Sequence, residues 1–133
     1  MLLKRSIHFL LFAFCIWLAL ATRKYTWFHP VIVEYGGDVT WAAAFLFLLR
    51  SIFFHTKAWK LAVICYVLGV LDECSQLLYF DWLVAIRQTY IGRLMLGVGF
   101  VWSDILCYAI GVILALVVVV LVDRNFPGKL KTH

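Results

Sequence analysis

Residues 101–122 read VWSDILCYAIGVILALVVVVLV, an apolar run with one charged side chain, Asp104. A helix needs about 20 such residues to cross the hydrocarbon core of a bilayer, and this run is long enough to do so. Its Val-rich end does not argue for a strand, because an open strand cannot satisfy its backbone in lipid. Three further runs, residues 7–21, 39–54 and 58–79, have the same character. With 65% hydrophobic and 14% charged residues and a mean hydropathy of +0.98, the composition is that of an integral membrane protein. The predicted fold is all-α: a single membrane domain over residues 1–133, built as a four-helix transmembrane bundle with interfacial loop helices on the extracytoplasmic side.

The first run follows Lys4 and Arg5 and has the outline of a secretory signal peptide. Bulky Trp17 and the poor small-residue site at Ala19 to Thr22 argue instead for a retained first helix. Basic flanks orient the chain. Lys4, Arg5, Arg50, Lys57, Lys60, Arg124, Lys129 and Lys131 fall on one side, and only Arg23, Lys24, Arg87 and Arg93 on the other. This bias predicts both termini in the cytoplasm. The net charge of +5 then reflects an anionic inner leaflet, and no aromatic-plus-basic module for nucleic acid is visible.

Charged residues inside such runs are the best pointers to a site, since each costs roughly 2.5 kcal/mol or more at mid-depth. Asp72, Glu73 and Gln76 interrupt the third run and Asp104 the fourth, while Asp38 precedes the second. The topology brings all of them to the extracytoplasmic side, below a loop carrying Arg87 and Arg93, and leaves the inner half nearly devoid of polar groups. Residues three or four apart share a helix face, so Gln76 is paired with both Asp72 and Glu73. Asp72 and Glu73 themselves diverge by about 100° and cannot both enter one pocket. Asp104, Tyr108 and Gly111 form a stripe on the fourth helix, where Gly111 would admit a close neighbour. The predicted polar pocket comprises Asp38, Asp72, Glu73, Gln76, Arg87, Arg93, Asp104 and Tyr108.

The loops differ. Residues 23–38, RKYTWFHPVIVEYGGD, read as an aromatic interfacial turn. Residues 81–100, DWLVAIRQTYIGRLMLGVGF, read as a surface helix followed by a re-entrant turn at Gly97 and Gly99, with Arg87 and Arg93 snorkelling to phosphates or capping the buried acids. Six Trp and six Tyr gather mostly near span ends, as an interfacial belt does. The four cysteines show no Cys-x-x-Cys spacing and the four histidines no His-x-x-x-His pair, so neither a metal nor a cofactor is predicted. Phosphate-loop and Gly-x-Ser-x-Gly motifs are missing from the sequence as well.

Several spaced motifs carry a resemblance. Glu34-Tyr35-x-Gly37-Asp38-x-x-Trp41, Glu73-x-x-Gln76, Trp82-x-x-x-Ile86-Arg87, Gly92-Arg93-Leu94 and Gly99-Phe100-x-Trp102-x-Asp104-x-x-Cys107-Tyr108-x-x-Gly111 look like those of a small bacterial four-span membrane family of unknown function. It is often labelled the ribosomal maturation YjgA family, and the similarity covers about residues 20 to 115. The Glu73-x-x-Gln76, arginine and Asp104 to Gly111 pattern more loosely resembles the VanZ-like proteins, some of which are associated with glycopeptide (teicoplanin) resistance. This chain has Tyr108 where those proteins usually have Asn, and a different first loop. The resemblance implies a multi-pass protein of a bacterial inner membrane and no settled activity.

Three functions are open to the acidic cluster. It can be a structural network in an accessory membrane protein, alone, as a homo-oligomer or in a larger complex. It can be a pocket for a lipid headgroup or envelope precursor, with Arg87 and Arg93 on phosphate and Glu73 or Asp104 as candidate catalytic acid or base. It can also belong to a small transporter subunit, although acids at mid-depth are then wanted. A lipid-handling protein predicts a cavity reached laterally from the bilayer. A purely structural network predicts carboxylates paired with Arg87 or Arg93 and no cavity.

Overall fold

The computed structural model describes residues 2–24, 29–78, 80–96 and 102–126. These residues form six α-helices and no strand: α1 (Leu2–Lys24), α2 (Gly37–Ile52), α3 (Ala58–Ser75), α4 (Asp81–Gln88), α5 (Tyr90–Leu96) and α6 (Trp102–Asn125). A wider π turn, Ile32–Gly36, leads straight into α2. The re-entrant turn expected at Gly97 and Gly99 and the end of the third run at Tyr79 lie outside the described residues.

Among the described residues, two helices are long and apolar enough to cross a bilayer by themselves, Leu2–Thr22 within α1 and Trp102–Asn125. Four were expected. The shortfall has physical causes: α2 proper has only 16 residues, and α3, with 18, carries Lys60, Asp72 and Glu73. The helix bounds shift accordingly, and the first run extends over a longer helix than residues 7–21.

Chain direction alternates from α1 through α2 and α3 to α6, and side-chain contacts fix the arrangement. Lys4 Nζ donates to the carbonyl of Asp123 at 3.2 Å, joining the start of α1 to the end of α6. Arg5 donates from Nε to the Ser51 carbonyl at 2.9 Å and from Nη2 to that of Ile52 at 3.3 Å, joining it to the end of α2. One end of the bundle is therefore basic. At the other lie the start of α2, the end of α3 and the start of α6, with the short α4 and α5 beside α3.

Packing is dominated by small residues. Ala42, Ala43 and Ala44 of α2, Ala62 and Cys65 of α3 and Ala115 of α6 are buried, whereas Phe14, Trp17, Val67, Leu71, Ile113 and Val117 face outward. Large apolar groups facing outward and small residues at the contacts, beside the buried Leu46, Phe47, Leu61 and Val119, are what helices in lipid show, where close backbone contact replaces the hydrophobic drive. Among the four long helices, the tightest approach at a glycine is at Gly111. A Cβ there would stand 2.3 Å from the Val39 carbonyl oxygen and 3.0 Å from Ala42 Cβ. Helix α2 is central, packing on α1, α3 and α6, while α6 also packs on α3. Helices α1 and α3 do not pack on each other.

Gly111→Ala must therefore push α2 and α6 apart, at an expected cost of about 1 to 3 kcal/mol. Thermal unfolding in detergent should show it as a lowered midpoint. Gly69→Ala, whose added Cβ meets only the edge of the Tyr108 ring at 3.1 Å, should be milder. Equal midpoints for Gly111→Ala and the parent chain would contradict the packing described.

Candidate functional site

At the acid end, Glu73 is almost wholly buried, with 1% of its surface exposed. Its Oε1 accepts hydrogen bonds from Tyr108 Oη at 2.9 Å and from Gln76 Nε2 at 3.1 Å. The first ties α3 to α6, and the second follows from the three-residue spacing on α3. Gly69 lets the Tyr108 ring lie against α3 one turn before Glu73. Asp38, in the first turn of α2, and Asp104, in the first turn of α6, lie near each other at this end. Asp104 also sits where the positive end of a helix dipole favours an acid.

Asp72 points elsewhere, as the angle between neighbours on a helix requires. It lies at the edge of a cleft of about 330 Å³ between α1 and α3, floored by α2. Phe12 and Ile16 come from α1, Phe45 and Leu48 from α2, Leu68 from α3, while Trp41, Asp72 and Tyr108 stand toward the acid end. The cleft exists because α1 and α3 flank α2 without meeting. Its size is within the usual range of ligand pockets, and its walls are apolar apart from the polar groups at one end.

The arginines divide. Arg87 is buried and donates to the carbonyls of Ser75 and Leu78, the latter at 3.0 Å, with Ser75 Oγ at 3.3 Å. It caps the end of α3, where carbonyls lack helical partners. It thus neither snorkels nor forms an ion pair with an acid. Arg93, on α5, is exposed. Among the described residues no group of three or more His, Cys, Asp or Glu side chains is placed to hold a metal ion.

The family model described as protein of unknown function (DUF2809) matches residues 27–112. The chain belongs to this family. No solved structure matches it. An uncharacterised family agrees with the resemblance read from the motifs, but neither the ribosomal-maturation label nor the VanZ-like one is supported by the match. The DUF2809 region contains every acid-end residue described above, from Asp38 to Tyr108, and stops inside α6.

A second polar cluster, which sequence reasoning missed, joins residues inside that region to Lys4, His8 and Asp123 outside it. At the basic end, Arg50 Nη2 forms an ion pair with Asp123 Oδ2 at 2.6 Å, and its guanidinium stands 4.8 Å from the centre of the Phe54 ring. Another Arg50 nitrogen donates to the Thr56 carbonyl. His8 is fully buried, and its Nδ1 donates to the Lys4 carbonyl at 2.7 Å. The inner half is therefore not devoid of polar groups. The available signals were Asp123 beside the span end, at the same depth as Arg50, and the four-residue spacing of Lys4 and His8.

Tyr108→Phe removes a donor from a buried carboxyl group, and the expected loss of stability is about 1 to 3 kcal/mol. Thermal unfolding of the two proteins in one detergent measures it. An unchanged midpoint would mean that the Tyr108 to Glu73 bond does not hold α3 to α6.

Proposed function

We propose that this DUF2809 protein is a four-span protein of the bacterial cytoplasmic membrane, with both termini inside, and that it binds an amphiphile in the cleft between α1 and α3. The observation that carries the reading is the cleft itself: apolar along its length and carboxylate-edged at one end. Four crossings are supported by the alternating helix directions, by the π turn that lengthens α2 to a continuous helical stretch over residues 32–52, and by the outward-facing apolar side chains. Orientation is supported by the collection of Lys4, Arg5, Arg50, Lys57, Lys60 and Arg124 toward one end.

The apolar wall suits an acyl or isoprenoid chain that enters sideways from the bilayer, and Asp72 with Trp41 would meet the head. The ligand class is thus a lipid or lipid-linked envelope precursor whose head offers hydrogen-bond donors or positive charge to Asp72. In this reading Glu73 serves architecture, since Tyr108 and Gln76 occupy its Oε1. Those same bonds favour a second reading, an accessory protein in which the network is structural and the cleft receives a helix of a larger complex. Transport has less support: between Glu73 and His8 the buried interior is mainly Ala, Leu, Phe and Cys.

Native mass spectrometry of the protein extracted with its own lipids tests the proposal. The parent chain should retain an amphiphile of defined mass, and Leu68→Trp, which fills the cleft from its rim, should lose it while keeping its helix content. Asp72→Asn should alter which species is retained. Identical lipid profiles for all three would refute the cleft as a binding site.

A further inference from the structure

We propose that the basic end of the bundle carries a second site, built on Arg5, for the phosphate of an anionic membrane lipid. The proposal rests on the reading that these helices cross a membrane, but not on the cleft, with which it shares no residue. A hollow of about 390 Å³ is lined by Arg5, Ser6, Phe9, Leu10 and Ser51.

The guanidinium of Arg5 is held in place from one edge, where Nε and Nη2 donate to the carbonyls of Ser51 and Ile52 at 2.9 and 3.3 Å. A guanidinium has five N–H donors, so the pair on Nη1 and the second on Nη2 are left for another partner. These form the fork that binds phosphate with two parallel bonds. Both partners of Arg5 are neutral carbonyls. Arg50 is neutralised by Asp123, and Lys4 is bonded to the carbonyl of that same residue. Arg5 keeps its full charge beside the hollow.

The rest of the lining agrees with an anion. Ser6 is exposed and offers a hydroxyl, Ser51 Oγ already donates to the Leu48 carbonyl at 2.8 Å, and no acid lines the hollow. Phe9 and Leu10, 53% and 67% exposed, stand about one turn farther along α1 in the direction of the span. A donor-lined upper part above an apolar lower part matches a phosphate head followed by an acyl chain. Attraction of nearby basic residues to an anionic leaflet acts in the same direction.

The test compares thermal stabilisation of the full chain in neutral detergent by phosphatidylglycerol, by phosphatidylcholine with the same chains, and by inorganic phosphate. The parent protein should respond to phosphatidylglycerol at about tenfold lower concentration than to phosphatidylcholine, the difference that one charged hydrogen-bonding partner supplies. Arg5→Lys, which keeps the charge and loses the fork, and Ser6→Glu, which places an acid at an exposed position beside it, should each reduce that preference severalfold. Leu68→Trp should retain it, so failure of the cleft and failure of this site are told apart. No preference in the parent chain, an undiminished preference in both Arg5→Lys and Ser6→Glu, or loss in Leu68→Trp would overturn the assignment. Equal protection by inorganic phosphate would overturn the lipid as its source.

Discussion

The contact between α2 and α6 at Gly111 sets the geometry of the whole bundle. With the Val39 carbonyl oxygen only 2.3 Å from where a Cβ would be, no other residue fits without parting the helices. Dispersion falls off steeply with a gap of even half an ångström, so small residues decide how much contact two helices gain. Ala42 on α2 and Ala115 on α6 continue that contact toward the basic end. Tyr108, one turn before Gly111, is thereby carried to Glu73 on α3, where its hydroxyl lies 2.9 Å from Oε1. Helix α3 is thereby fixed against α2 and α6, and α1 packs on the remaining side of α2, clear of α3. The cleft is the consequence of that placement.

Polar groups are sorted between the two ends by the partners they find. At the acid end, Glu73 accepts from a phenol and an amide, which keeps its buried Oε1 from facing hydrocarbon. At the basic end, guanidinium groups take the carbonyls that close α2 and the loop after it, and Asp123 neutralises Arg50. Arg87 performs the same capping at the end of α3. Arginine suits each of these places because its planar fork reaches two carbonyls at once. Asp72 borders the apolar cleft, and Arg5, held by two neutral carbonyls, borders the hollow at the basic end.

Much of this was legible in the residues. Apolar runs located α1, α2, α3 and α6, the spacing of Glu73 and Gln76 anticipated their bond, and Gly111 was expected to admit a neighbour. The divergence of Asp72 and Glu73 also follows from helix geometry alone. What could not be read were facts of tertiary placement. A nearby loop arginine suggested an acid or a phosphate as its partner, yet Arg87 found the carbonyls of Ser75 and Leu78, which have no side-chain signature. Nothing within either segment marks the burial of His8 or the pairing of Asp123 with Arg50, which depend on how α1, α2 and α6 meet at one end. The cleft arises from two helices that do not touch, and no pattern within either helix encodes that.

The most direct measurement of the central claim is photo-crosslinking with a lipid bearing a diazirine near the end of its acyl chain, followed by mapping of the labelled peptides from the protein in bilayers. Labels concentrated on Phe12, Phe45 and Leu68 above the level on the outward-facing Phe14, Trp17 and Val117 would show a chain held between α1 and α3. Labels spread evenly over the outward faces, with none enriched in the cleft, would contradict the account.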